Sequence, residues 1–243
     1  MASTSEVGHA KNVANFQDLI EFVIGYGETY NPSKNSLKLP QLIALRETAQ
    51  TKLNDVIAKN TIYNNKVNER MVAFGNLKSL STRLVNALQT TDATNETINN
   101  AKTFNRKMQG KKASDTQPQT DPNVPAPTTI STSQQSYDQL IQHLSGLKSV
   151  LEAEPSYTPN ETDLQVSTIE AKIIELTAKN TAVATAYANI SNSRISRNQV
   201  LYTNTNSLVE TANEVKKYIK SVFGATSPQF AQVKGIEFTK PRV

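Results

Sequence analysis

The chain of 243 residues contains no cysteine, no tryptophan and only two histidines. Without cysteine there can be no disulfide, thiolate metal site, iron–sulfur cluster or cysteine nucleophile. His9 and His143 stand alone, neither beside a second histidine nor beside a carboxylate pair at metal-ligand spacing, so no metal site is expected. Glycine (8) and proline (10) are scarce, which argues against an all-β protein full of tight turns. Hydrophobic residues make up 37% and aromatics 6%, so any core must be aliphatic and thin. The chain also lacks a Walker loop, G-x-G-x-x-G, G-x-S-x-G, H-E-x-x-H and the E-x-x-H pattern of di-iron bundles. These absences argue against the commonest enzyme classes, so no catalytic residue, cofactor or metal is expected.

Long apolar runs are missing too. Nothing approaches the ~18 uninterrupted apolar residues of a spanning helix, so no transmembrane segment is expected. Residues 1–9 lack the basic cluster and apolar run of a secretory signal. A cytoplasmic location is the default expectation, although a cargo exported without a leader would read the same way. Charge is unevenly placed. Residues 1–113 carry 15 Lys/Arg against 9 Asp/Glu, a net +6, while residues 114–243 carry 11 against 12, a net −1.

What is present is a duplicated pattern. Residues 110–135, GKKASDTQPQTDPNVPAPTTISTSQQ, hold four of the ten prolines and almost nothing that could be buried. Such a composition cannot offset the entropy of ordering, and it reads as a flexible linker. The parts on either side match in order. Phe16-Gln17-Asp18-Leu19-Ile20 answers Tyr137-Asp138-Gln139-Leu140-Ile141, and Tyr30-Asn31-Pro32-Ser33 answers Tyr157-Thr158-Pro159-Asn160. Ala58-Lys59-Asn60-Thr61 recurs unchanged at Ala178-Lys179-Asn180-Thr181, Arg70 pairs with Arg197, and Ala93-Thr94-Asn95 answers Ala225-Thr226-Ser227. Along the middle segment the offset moves from 127 to 120 and back. A step of seven residues is about two helical turns, so it leaves a buried helix face nearly unchanged.

Hydrophobic spacing gives the same reading. From Leu42 the stripe runs through Leu45, Ala49, Leu53, Val56, Asn60, Tyr63, Val67, Met71 and Phe74 to Leu77, Leu80, Leu84 and Leu88. A second runs through Ile169, Ile173, Leu176, Asn180, Val183, Tyr187, Ile190 and Arg194, then Leu201, Thr205, Leu208, Ala212, Val215 and Ile219. Steps of three and four describe one face of an α-helix. Unbroken, residues 41–90 would make a rod of roughly 75 Å and residues 161–222 one of roughly 90 Å. Pro40 suits the first turn of the first rod and Gly224 a cap at the end of the second. Shorter helices are expected at about 12–29 and 134–153, each followed by a Tyr-x-Pro turn. The tails, 94–109 and 227–243, begin with helix-starting residues, Asn95 in one and Ser227-Pro228 in the other; Gly235-Ile236-Glu237-Phe238 reads as an extended strip.

Several polar residues interrupt this scheme. Asn60 and Asn180 sit on the stripes, where an amide either fixes helix register or meets water at the stripe's edge. Arg70 and Arg197, with Arg194, lie near the seams, and Glu47, Glu69, Glu170 and Glu175 are available carboxylate partners. Lys102, Arg106, Lys107, Lys111 and Lys112 form a positive run with no acid among them, either a solvated segment or a polyanion contact. Lys216, Lys217 and Lys220 would complement the negative end of the last long helix. His9 falls in an N-terminal stretch expected to be disordered, and His143 on the polar side of the third helix.

The combination Asn15-Phe16, Gly25-Tyr26-Gly27 and Tyr30-Asn31-Pro32-Ser33, with Lys234-Gly235-Ile236-Glu237-Phe238, resembles helical proteins of Bacteroidota whose function is not established. The resemblance implies a helical fold and carries no activity, cofactor or site.

The expectation is therefore an all-α protein: an elongated antiparallel helical bundle of two repeated helical hairpins with long helices and coiled-coil-like packing. Its parts are a disordered N-terminus (1–11), a first repeat (12–109), the linker (110–135) and a second repeat (136–243), both repeats packed as one bundle. A non-enzymatic scaffold or interaction role is expected, with a protein partner or self-association. The alternatives are a nucleic-acid or polyanion-binding accessory protein using the basic first half, and an α-helical pore-forming or membrane-active protein, for which Ala182–Ile190 is the least charged long-helix stretch.

Overall fold

The computed structural model describes residues 7–110 and 135–240. Residues 1–6, the linker residues 111–134 and with them Lys111 and Lys112 lie outside the described residues. The described residues form eight α-helices: α1 (Val7–Gly25), α2 (Leu39–Phe74), α3 (Leu77–Leu88), α4 (Asn95–Gln109), α5 (Tyr137–Glu152), α6 (Val166–Asn198), α7 (Leu208–Phe223) and α8 (Pro228–Lys234). No strand occurs among the described residues. The protein is all-α.

Both stripes form helix, but neither forms a single rod. The first breaks at Gly75-Asn76, between α2 and α3, where the Gly75 N–H turns back to the Val72 carbonyl at 3.1 Å. A Cβ at residue 75 would stand 3.3 Å from that same carbonyl oxygen, so glycine suits the turn. The second loosens into a π-helical turn, Gln199–Thr203, and then stops. Thr203-Asn204-Thr205-Asn206-Ser207 is a run of side chains that compete for backbone hydrogen bonds, and Asn206 takes a left-handed φ of 60°. Unbroken rods over 41–90 and 161–222 are thus corrected, because apolar period alone does not register a polar or glycine interruption that preserves phase.

End signals behave as their chemistry dictates. Thr94, Ser136 and Ser227 accept hydrogen bonds from the N–H three residues on, and Pro228 occupies the first position of α8. Pro40 lies in the first turn of α2, and Gly224, at φ 96°, follows α7. Gly110 closes α4 at φ 74°, which only glycine adopts freely. The two Tyr-x-Pro turns are built alike. Tyr30 donates to the Leu37 carbonyl at 2.8 Å and Tyr157 to the Leu164 carbonyl at 2.9 Å, each tying down a short 3-10 turn just before the long helix.

The N-terminal boundary also moves. α1 begins at Val7, not after residue 11, and buries His9 and Asn12. The row His9, Asn12, Phe16, Leu19, Val23 keeps helical spacing, so a polar start was hidden by reading only its apolar members.

The chain divides into two compact units that do not follow the halves 12–109 and 136–243. The first takes Met1–Tyr63 with Ala186–Val243, the second Asn64–Thr185. Each unit therefore combines the opening of one half with the close of the other. In the first, Phe16, Leu19, Ile20 and Val23 of α1 pack with Leu42, Ala49 and Leu53 of α2 and with Leu208, Ala212, Val215 and Ile219 of α7. In the second, Leu77, Leu84 and Leu88 of α3 pack with Ala101 and Met108 of α4, Leu144, Leu147 and Leu151 of α5, and Ile169 and Leu176 of α6. Each fully buried Leu or Phe contributes about 1.5–3 kcal/mol relative to leaving it exposed. Met71 and Tyr187, stripe members by spacing, are exposed instead.

Candidate functional site

Polar chemistry in the second unit gathers where α2, α5 and α6 meet. Residues three and four apart on a helix share a face, so Lys66, Glu69 and Arg70 of α2 come together. Arg70 donates from Nη1 to Asn180 Oδ1 at 2.8 Å, and Asn180 Nδ2 donates to Asp138 Oδ1 at 2.7 Å. The Arg70 guanidinium also lies 4.0 Å from the centre of the Tyr137 ring, which makes an edge-to-face contact with Phe74 at 4.7 Å. Asp138 occupies the first turn of α5, where the helix dipole favours a carboxylate. One chain of contacts, Arg70 to Asn180 to Asp138, thus links three helices. Among the described residues the buried Arg70 Nε has no hydrogen-bond partner.

Beside it, Glu69 receives Lys66 at 2.8 Å and Lys179 at 2.9 Å. Hydrogen bonds from Lys66 first, then Lys179, hold its carboxyl down at about 2. Asn65, Asn68, Glu69, Val72, Ala73, Glu175 and Lys179 line a groove of about 560 Å³. Its walls offer amides, ions already paired and the exposed side chain of Val72. Such a surface can take a complementary helix or peptide by hydrogen bonding and apolar contact; nothing in it pairs a nucleophile with a base.

The structure separates the repeated residues. Asn180 is a three-helix link, whereas Asn60 is half-buried and makes no side-chain hydrogen bond among the described residues. Arg70 belongs to the second unit. Arg197, in the first, is buried and donates from Nε and Nη2 to Asn198 Oδ1 at 3.1 and 2.9 Å. Arg194 is half-buried, its Nε without a hydrogen-bond partner among the described residues. Three of the carboxylates available to those arginines meet lysines. Glu69 pairs with Lys179 at 2.9 Å, Glu170 with Lys148 at 2.7 Å and Glu175 with Lys172 at 3.0 Å.

Of the basic run, Lys102, Arg106 and Lys107 are exposed on α4, the latter two in its last turn, where they complement the dipole. Lys220 does likewise in α7. Lys216 does not: its ammonium donates to the carbonyls of Ile236 and Lys234, and burial lowers its pKa. His143 is buried, not on a polar face, and burial with the nearby Lys107 charge pushes its pKa down.

Sequence reasoning missed a second polar cluster, in the first unit. His9 Nδ1 and the Tyr202 hydroxyl stand 2.7 Å apart, and Asn12 Nδ2 donates to that hydroxyl at 3.1 Å. Tyr202 belongs to the π-helical turn and borders a polar cleft of about 530 Å³ with Glu210, Glu214, Lys217 and Lys240. The available signal was the placement of His9 and Asn12 on the buried row of α1. Among the described residues no group of three His, Asp or Glu is placed to hold a metal ion. No described helix is long and apolar enough to cross a membrane.

The fold and these surfaces define an all-helical protein. Comparison with known families, with curated proteins and with solved structures finds no match.

Proposed function

We propose that this chain is a non-enzymatic structural or interaction protein, assembled from a duplicated helical hairpin, that associates with a second copy of itself through the aliphatic surface of its long helices. The carrying observation is that Ile57, Ile62, Met71 and Val72 of α2 and Ile174, Tyr187 and Ile195 of α6 are between 47 and 75% exposed. Scattered exposed apolar residues are ordinary, but each unit exposes several on its long helices, Ile57, Ile62, Tyr187 and Ile195 in the first and Met71, Val72 and Ile174 in the second, and this apolar area is poorly satisfied by water. A second copy exposes the same side chains, and an isologous two-fold contact would bury them against one another.

Duplication is supported by the matched Tyr30 and Tyr157 turns, each seven residues before its carbonyl acceptor. Antiparallel pairing of α2 with α6 is supported by side-chain contacts in each unit. In the first unit Asp55 accepts from Ser193 at 2.5 Å and Tyr63 meets Tyr187 at 5.9 Å; in the second Glu69 and Arg70 meet Lys179 and Asn180.

Light scattering on the purified full chain tests the reading. A mass above the monomer at high micromolar concentration is expected, falling to the monomer when Ile57, Ile62 and Val72 are changed to Glu. A wild-type chain that stays monomeric throughout overturns it.

A further inference from the structure

The strip after α8 is held in an unusual way. Residues 236–240 form no regular structure, yet side chains from two helices grip their main chain. Asn12, only 1% exposed, accepts from the Thr239 N–H at 3.0 Å and donates to the Thr239 carbonyl at 2.7 Å. This is the two-bond pattern by which one β-strand residue reads another. Asn15 Nδ2 donates to the Glu237 carbonyl at 2.6 Å, and Lys216 of α7 donates to the Ile236 and Lys234 carbonyls.

Side chains of the strip alternate. Ile236 and Phe238 are half-buried against the first core, while Glu237 and Thr239 are exposed. Phe238 meets Phe16 edge-on at 6.4 Å, and the Lys216 ammonium lies 5.5 Å from its ring. The α1/α7 face therefore reads an extended segment by its backbone and by two side chains at period two. That is the logic of peptide recognition by strand addition, carried here by asparagine side chains instead of a sheet edge.

Nothing covalent ties the strip down, and Gly235 separates it from α8. We propose that the α1/α7 face is a docking groove for an extended Ile-x-Phe segment supplied by a second copy of the chain, the chain's own strip being the resting occupant. The second copy follows from complementarity, since the segment seen to fit is Ile236-Glu237-Phe238-Thr239 itself, and exchange of an identical element between copies keeps every contact while adding none that must be invented. The proposal rests on the self-association reading but assigns it a different surface.

The absence of native cysteine permits a clean test with full-length chains. A donor chain carries Asn12→Ala and Asn15→Ala, which disable its groove, and Lys240→Cys bearing a fluorophore. An acceptor chain carries Phe238→Ala, which weakens its own strip and leaves its groove intact. Titration should raise the donor's anisotropy saturably. The acceptor should bind at least about tenfold tighter than wild type does, because the wild-type strip competes at an effective concentration near millimolar. Binding should vanish when Phe238→Ala is added to the donor or Asn12→Ala to the acceptor.

No anisotropy rise overturns the proposal. A rise that survives both added substitutions overturns it as well, and leaves association through the α2 and α6 surfaces standing. If a variant loses its helical signal, hydrogen exchange on the wild-type chain decides. A Thr239 amide that exchanges ahead of the α1 and α7 amides supports an opening strip, and one that exchanges only with them refutes it.

Discussion

Replacing Gly146 with Ala should destabilise the second unit, although in an ordinary helix interior it would stabilise by about 1 kcal/mol. Gly146 lies within α5, and a Cβ there would meet Phe104 of α4 at 2.3 Å from Cε1, 2.5 Å from Cζ and 2.9 Å from Cδ1. Carbon atoms prefer ~3.5–4.0 Å, so the ring must withdraw by more than an ångström or the helices must part. Overpacking of this kind costs ~1–3 kcal/mol, and three clashing ring atoms place it near the upper end. After the helix-propensity gain, a net loss of about 2 kcal/mol is expected. The sign should reverse in a Phe104→Ala background, where Gly146→Ala should stabilise by up to about 1 kcal/mol. The cycle then gives a coupling near 3 kcal/mol, well above the ~0.5 kcal/mol of independent sites. Urea unfolding of the four chains, followed by far-UV circular dichroism with each unit's transition fitted separately, measures it. A Gly146→Ala chain as stable as wild type, or a coupling near zero, refutes the close approach of α4 and α5.

Two further outcomes follow from named contacts. Tyr30→Phe and Tyr157→Phe each remove one buried hydroxyl-to-carbonyl bond and should each cost about 1 kcal/mol, in the first and second unit respectively; urea midpoints that move in one chain only would break the equivalence of the two turns. Burial, with the Lys107 charge, lowers the His143 pKa, so the unfolded chain takes up the proton first. Stability of the second unit should therefore be complete above about 6.5 and fall as pH drops through the lower folded value, a slope that His143→Leu should reduce; an unchanged slope between neutral and mildly acid pH counts against it.

Helical class, turn positions and caps were legible because they are local. Three-and-four spacing, Pro40 within the first turn, Ser227-Pro228 at a start and glycine at an end each act within a few residues. The matched Tyr-x-Pro segments were legible for the same reason. What escaped were events that leave apolar phase intact, such as the break at Gly75-Asn76, and polar residues on a buried row, such as His9 and Asn12.

The sequence by itself determined which segments become helix and which face of each is apolar, since both depend on side chains one or two turns apart. Only the tertiary structure decided which apolar faces meet. It joined the opening of one half to the close of the other in each unit, left Met71 and Tyr187 exposed, and among the described residues gave the Asn180 side chain two hydrogen-bond partners and the Asn60 side chain none. It also closed Asn12 on Thr239, 227 residues away. Burial and long-range hydrogen bonds are properties of pairs brought together by packing, and no single segment encodes its partner.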